Sequence, residues 1–571
     1  MKKRKILAYL LILILAVSMM SGCGGKAGTP DTTKTSSTKD ETSAAKGDNN
    51  GSQKELVTLR IMGRDNAATL ADQKVTLSDW VNKDSKLWKK VTDDLEERGI
   101  RLDLDLIQDD QFDTVVQTQL AAGIDCDIMN ITPLDSITRL RLMEQGSIVP
   151  INKILDQYSD GTAKEFYTSG PGANAVGMTS LEDGNFYWLT DIQTSTYDDK
   201  VVGSTMGFQI RKDWLDKLGL PVPSTTDELF TDLQAFQDKD MNGSGEKDEV
   251  ISIDLKGFAT GIGQWFGFGP GLTYVDEQDG NKVKSPWYND HIKDYISFVK
   301  KMVDAGLVDT SDQASVKKPE NKIAGLFGWA MATWDEPQVI VPDGAAKAYY
   351  LPFLAKAVED VEPLGILQSG YQISGRGYAV TNKCKHPEAV AKLLDYITSP
   401  EFTELTEYGI RDYTFTQDAN GNKTRIKDSN PETQIMSSVP ALWTNNAIFP
   451  RYDIGKHMEA EMNQMVETGK LAGYPDEGYQ AKWDFSDKLY KYPYTTGHDP
   501  EAAYATATAK ELDRISAIET DLTTYSDELM MKLILGQKSL EDWDTYMSDL
   551  KRLGLDELIS INQARYDRTQ K

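Results

Sequence analysis

The sequence predicts an α/β protein, and three observations predict it. The first is the order strand–helix–strand–helix–strand between residues 55 and 131, which implies a parallel sheet with helices on its faces. The second is a later apolar stretch at 206–255, where a helical pattern runs through an acidic loop into a strand. The third is a C-terminal third dominated by helical periodicity, within a chain of 571 residues that is long enough for two or three domain-sized units.

Each element follows from its own residues. "ELVTLRIMG" (55–63) reads as a strand. "LWKKVTDDLEERG" (87–99) is amphipathic and stops at a glycine, as helices often do. "IRLDLDLI" (100–107) alternates as a half-buried strand does. "FDTVVQTQLAAG" (112–123) is a second glycine-terminated helix, and "DCDIMNI" (125–131) is a buried strand. Ligands of such sheets lie beyond the carboxyl ends of the strands, here 63–66 and 130–132. In "MGFQIRKDWLDKLGLPVPSTTDELFTDLQAF" (206–236), Thr225 and Glu228 have capping-box spacing ahead of Leu229, Phe230, Leu233 and Phe236. "PEAVAKLLDYITSPEFTELTEYG" (387–409) and "SLEDWDTYMSDLKRLGLDELISINQARYDR" (539–568) are the C-terminal helices. No fixed-period repeat occurs.

The N-terminal end reads as an export signal. "MKKRK" is followed by an apolar run, Ile6 to Met20, too short for a spanning helix, which takes about 20 residues. "MSGC" then resembles the bacterial lipobox, with Cys23 as the lipid-bearing residue and Met20 where leucine is usual. Residues 1–22 are the expected signal peptide, and 23–55 a lipid-anchored tether. Gly24 to Glu55 holds no Val, Ile, Leu, Met or aromatic residue, so it can bury no core and would span about 30 Å as a coil. Two or more acyl chains suffice for stable anchoring at the outer face of a cell membrane.

Composition narrows the partners. The formal charge is −26, and loss of Lys2, Lys3, Arg4 and Lys5 with the leader makes it more negative. A surface so acidic excludes nucleic acid and anionic lipid heads as general partners. Beyond Cys23, the cysteines are Cys126 and Cys384, for which pairing is possible but not demanded; the apolar "CDIMNI" favours a buried free thiol at Cys126.

"DKDMNGSGEKDE" (238–249) matches the calcium-loop pattern D-x-[DN]-x-[DN]-G-x5-E. Calcium takes six to eight oxygens. One register starts at Asp238 and uses Asp240, Asn242, the Ser244 carbonyl, Glu246 and Glu249, with Gly243 at the turn. A second starts at Asp240 and uses Asn242, Ser244, the Glu246 carbonyl, Asp248 and Glu249, but has Ile251 at its twelfth position. The motif alone favours the first. The following "VISIDL" (250–255) alternates like a strand, so the loop joins a helix to a strand. A sensor needs a second helix to swing; here the ion is expected to clamp a turn.

Four blocks carry a resemblance: "IRKDWLDKLGLPVPSTTDEL", "DMNGSGEKDE", "TNKCKHPEAVAKLLDYI" and "LGLDELISINQARYDR". The chain resembles the family 1 extracellular solute-binding proteins, the sugar-binding lipoproteins of ABC transporters, and looks most like the branch that binds aldouronates or complex carbohydrates. The resemblance implies a two-lobed, type II periplasmic-binding-protein-like α/β fold, each lobe a mostly parallel sheet flanked by helices. It implies an N-lobe of 56–190 and 376–435 and a C-lobe of 191–375 and 436–571. The implied function is capture of an oligosaccharide by lobe closure, as a monomer, and delivery to a membrane permease. The family's calcium pattern matches the second register, which places Asp240, Asn242, Ser244, Glu246, Asp248 and Glu249 around a structural calcium and Asp238 outside it.

Sugars present C–H faces to aromatic rings and hydroxyl edges to polar groups. Trp188, Trp265 in the glycine-rich "GIGQWFGFGPG", Trp329, Trp334 and Trp443 lie in loop-like stretches and are the expected platforms. Arg64, Asn66, Asp191 and Arg411 are the expected polar contacts. Trp80, Trp88, Trp214, Trp483 and Trp543 sit in helical patterns and belong to cores. No catalytic residue is expected: the nucleotide, P-loop, zinc-protease and nucleophile-elbow motifs are missing, and the four histidines are isolated. A glycosidase needs only two carboxylates, and 88 acidic residues supply them. A secreted glycoside hydrolase is therefore the second reading, and a peptide or lipid receptor on the same scaffold the third.

Overall fold

The computed structural model describes residues 56–569, apart from 330–349, 368–376, 427–447, 454–503 and scattered shorter stretches. The signal peptide, Cys23 and the tether lie outside the described residues.

The first sheet has the predicted order. Strand β1 (Val57–Asp65) leads through helices α1 (Leu77–Asn82) and α2 (Lys86–Glu97) to β2 (Ile100–Gln108). Helix α3 (Phe112–Ala122), β3 (Ile128–Asn130) and α4 (Ser136–Glu144) follow, and β4 (Trp188–Leu189) comes later. Leu59 and Ile61 of β1 are fully buried on one face, and Met62 is buried on the other. Strand β1 pairs in parallel with β2 and β3.

A second sheet is inserted before the first is complete. It contains β5 (Thr205–Arg211) and, after α5 (Lys212–Leu218) and α6 (Thr226–Asp238), β6 (Val250–Ser252). Beyond α7 (Ile292–Asp304) come β7 (Ile323–Trp329), β8 (Tyr350–Pro352) and β9 (Ile366–Leu367). The order is β6-β7-β5-β8, with β9 also on β5. Only β6–β7 is parallel; β5 runs antiparallel to β7, β8 and β9. This sheet is therefore mixed rather than mostly parallel. Parallel neighbours need a crossover connection, and only the β6-to-β7 link supplies one, through α7.

The chain then returns to the first sheet. Strand β10 (Tyr378–Val380) inserts antiparallel between β3 and β4, giving β2-β1-β3-β10-β4. Helix α8 (Pro387–Ile397) packs on that side, its Val390, Leu393 and Leu394 in the same core as Leu59 and Ile61. The last helices, α9 (Ala509–Ile534), α10 (Trp543–Leu553) and α11 (Leu555–Thr569), join the core of the second sheet, which gathers Phe208, Trp214, Phe236, Leu522 and Leu558. The predicted helix at 539–568 is two, broken at Gly554 with φ 108°.

Helix α4 belongs to both sides. Leu142 and Met143 lie in a core of the first sheet. Ile137 and Leu140 pack against the core of the second, where α4 touches α9.

Candidate functional site

The carboxyl edge of the first sheet collects polar groups. Asp65, Gln108 and Asn130 end β1, β2 and β3 on this edge. Because β10 is antiparallel, its start, with Gly377 before it, falls there too. The Asp65 carboxylate is buried and accepts from the Ser78 N–H (2.9 Å), the Ser78 hydroxyl (2.7 Å) and the Gln108 amide (2.8 Å). This fixes the end of β1 to the start of α1. Asn130 is fully buried, and its Oδ1 accepts from the Thr132 N–H at 3.0 Å. The Ile131 N–H donates to the Gly377 carbonyl at 2.7 Å. A Cβ at Gly377 would stand 2.9 Å from Ile131 and 3.3 Å from the Trp188 ring, so glycine permits this close approach.

Of the expected polar contacts, Arg64 sits on this edge. Its guanidinium meets Asp109 at 3.2 Å and Asp113 at 2.9 Å and lies over Phe112. Its buried Nε has no partner. Arg411 is exposed in a turn bridged to Phe415. Asn66, Asp191, Trp334 and Trp443 lie outside the described residues; the backbone of Trp329 ends β7, and its side chain is also outside them.

Two expected platforms are corrected. Trp265 is 2 % exposed, edge-on to Phe208 at 5.7 Å and tilted on Phe353 at 5.3 Å. The glycines around it do not make an open loop. A Cβ at Gly263 would fall 2.2 Å from the Phe268 ring, and one at Gly269 2.6 Å from Tyr274. They let aromatic rings close on the backbone, and Trp265 is part of that core. Trp188 opens β4, one position in from the candidate edge, and is buried among Met62, Phe112 and Ile131, so it is core rather than an open platform.

One residue on this edge is absent from the expectations. Arg139 of α4 is buried, and its guanidinium donates to the carbonyls of Leu134 (2.9 Å), Ile131 (3.2 Å) and Thr132 (3.2 Å). It also lies 5.6 Å from the Trp188 ring centre. Its only sequence signal is an arginine among the apolar residues of "SITRLRLM".

The acidic loop connects α6 to β6, as predicted. The capping box forms: Thr225 accepts from the Glu228 N–H, and Glu228 from the Thr225 N–H. Leu229, Leu233 and Phe236 anchor α6 in the core. Backbone φ is positive at Asp240 (49°), Gly243 (74°) and Gly245 (81°), which coils the chain tightly. Glu249 is fully buried; its Oε1 accepts from the Asn242 N–H at 3.1 Å. Its Oε2 and the Oδ1 of Asp240 are buried with no hydrogen-bond partner. Burial pushes the Glu249 carboxyl above its usual range, against the Asn242 N–H.

Asp248 is held instead by the Asn242 amide (2.8 Å), the Ser244 hydroxyl (2.9 Å) and Lys322 (3.4 Å). Burial pushes its carboxyl up, and these partners outweigh burial and keep it low. Asp238 points outward to Lys247 at 2.5 Å. Among the described residues no three His, Cys, Asp or Glu side chains converge on one point. The loop nevertheless fits a cation. Two buried carboxylate oxygens lack donors, and the Asp240, Asn242, Ser244, Glu246, Asp248 and Glu249 set is all oxygen, as calcium requires.

Comparison with known proteins agrees with this architecture. Residues 78–404 match the family "Bacterial extracellular solute-binding protein". A fructooligosaccharide ABC transporter substrate-binding protein, FusA of Streptococcus pneumoniae, is 25% identical over 508 residues, covering 83% of this chain and 86% of FusA. The polygalacturonan/rhamnogalacturonan-binding protein YtcQ of Bacillus subtilis is 28% identical over 52% of this chain and 64% of its own. The structure of a FusA EF-hand mutant in complex with fructo-nystose superposes with a TM-score of 0.63 at 20% identity, over 90% of this chain and 99% of the other. The fold is thus the two-lobed, type II arrangement.

Proposed function

This chain belongs to the bacterial extracellular solute-binding protein family, and from that premise we propose that it captures an oligosaccharide between its two lobes for an ABC importer. The observation that supports this most is the return of the chain. Strand β10 completes the first sheet only after the whole second sheet has been built, so two lobes are joined by more than one crossing. Such a pair closes on ligand as rigid bodies, and ligand favours the closed arrangement through contacts to both. The proposed lobes divide near 190 and 376; of the expected 436–571 segment, α9, α10 and α11 lie with the second lobe, whereas Ile448 and Phe449 pack in the core of the first.

The first lobe offers the carboxyl edge of its sheet. Arg64, Asp65 and Asn130 hold fixed positions there, and the partly exposed Arg64 guanidinium is the proposed donor to a sugar hydroxyl or carboxylate. FusA and YtcQ carry names of a neutral and an acidic glycan, and the ligand belongs to that range. Asn66, Asp191, Trp329, Trp334, Arg411 and Trp443 are the further contacts proposed. Asp240, Asn242, Ser244, the Glu246 carbonyl, Asp248 and Glu249 would hold a structural calcium that neutralises two buried carboxylates. Asp238, already paired with Lys247, stays outside it.

Cys23 carries the lipid, and the tether lets the closed monomer reach its permease at the outer face of the membrane. The test is a melting-shift panel of kestose, nystose, oligogalacturonides, alginate oligomers and manno-oligosaccharides. A dose-dependent rise with at least one, and recovery of that sugar intact, supports capture. No rise with any of them, or hydrolysis of one, refutes it.

A further inference from the structure

Helix α4 is gripped from two directions. At its start, Asp135 caps it, accepting from the Thr138 N–H at 2.8 Å. One turn in, Arg139 reaches back and donates to three carbonyls of the segment that precedes the helix, Ile131, Thr132 and Leu134. That segment is the carboxyl edge of β3. It is bonded to Gly377 through the Ile131 N–H and backed by Trp188 under the guanidinium. Ile137 and Leu140 lean on the core of the second lobe, where α4 meets α9.

We propose that α4 couples the carboxyl edge of the first sheet to the second lobe, with Arg139 as its positioning residue. This rests on the reading of that edge as one wall of a ligand cleft. A guanidinium has planar, fixed donors. Three bonds from one such group make residues 131–134 and the body of α4 a single rigid piece. A ligand group that displaces Asn130–Thr132 then displaces the whole helix, which is about 14 Å long at 1.5 Å per residue. Ile137 and Leu140 carry the displacement to α9. A ladder of backbone bonds alone would let the segment move while α4 stayed. Lysine at 139 keeps the charge but not the fork, so it loosens the joint without leaving an uncharged cavity.

The measurement is hydrogen–deuterium exchange on the complete mature, ligand-free protein, comparing wild type with Arg139→Lys and Ile137→Ala. Coupling is reciprocal. Arg139→Lys should speed exchange in 131–134 and also in α9, by about fivefold or more. Ile137→Ala, placed at the lobe contact, should speed exchange in α9 and also in 131–134. Faster exchange confined to the mutated side in either variant overturns the proposal. A second arm adds the panel sugar with the largest melting shift. It should slow exchange in α9 of wild type and do so at least fivefold less in Arg139→Lys. If no sugar binds, the carbohydrate reading fails, while the ligand-free comparison still decides the coupling.

Discussion

Removing calcium should unlock the turn between α6 and β6 without unfolding the first lobe. The magnitude follows from two atoms. Glu249 Oε2 and Asp240 Oδ1 are buried and accept no hydrogen bond. A buried acceptor without a partner costs about 1–3 kcal/mol, and more when charged. Stripping the cation therefore costs about 2–6 kcal/mol. For a lobe-sized unit each kcal/mol moves the melting temperature by about 2–4 °C, so chelation should lower it on the order of 10 °C. The assay is calorimetry of the mature protein in excess calcium and in chelator, repeated on Glu249→Gln, Asp248→Ala and Asp238→Ala. Glu249→Gln and Asp248→Ala should melt low and respond weakly to calcium. Asp238→Ala removes only an exposed pair with Lys247 and should behave like wild type. Equal melting with and without calcium would rule out a structural cation in this turn. So would an Asp238→Ala defect larger than that of Asp248→Ala, which would favour the first register.

Three further outcomes follow from particular residues. Trp265→Ala should cost about 3–5 kcal/mol of second-lobe stability, because it opens a cavity between Phe208 and Phe353; denaturant melts check this, and an unchanged midpoint contradicts it. Burial, with Glu228 nearby, raises the Asp232 carboxyl to about 6. The folded state therefore holds that proton more tightly than the unfolded chain does, and stability present at low pH is lost as pH rises from about 4 through about 6. Asp232→Asn should remove that loss and stabilise the protein by about 1–2 kcal/mol at pH 7.5, after discounting for water at the core margin, with no gain at pH 4; a variant no more stable than wild type at pH 7.5 is the contrary result. Cys23→Ser should leave an uncut precursor that takes up no labelled fatty acid, and processing and anchoring like wild type would end the lipoprotein reading.

The elements with local causes were readable from the sequence. Alternation in "IRLDLDLI", the glycine after α3 and the Thr225–Glu228 box each act within a few residues, and each appears in the structure. The helix–loop–strand form of the acidic loop was legible for the same reason. Long-range pairing was not. Nothing near Tyr378 marks it as the partner of Asn130, more than two hundred residues earlier, and only the family resemblance implied that the chain returns. Trp265 misled as a platform because glycine serves two ends. It opens loops, but at Gly263 and Gly269 it lets Phe268 and Tyr274 pack against the backbone, which buries Trp265. Arg139 escaped because its partners are carbonyls, which every residue has and no sequence pattern displays.

Small-angle scattering during a carbohydrate titration distinguishes capture by lobe closure from binding without movement. For the panel sugar with the largest melting shift, the radius of gyration should fall and saturate at one sugar per chain, with the sugar recovered intact. Saturable binding with an unchanged radius of gyration would contradict capture by lobe closure.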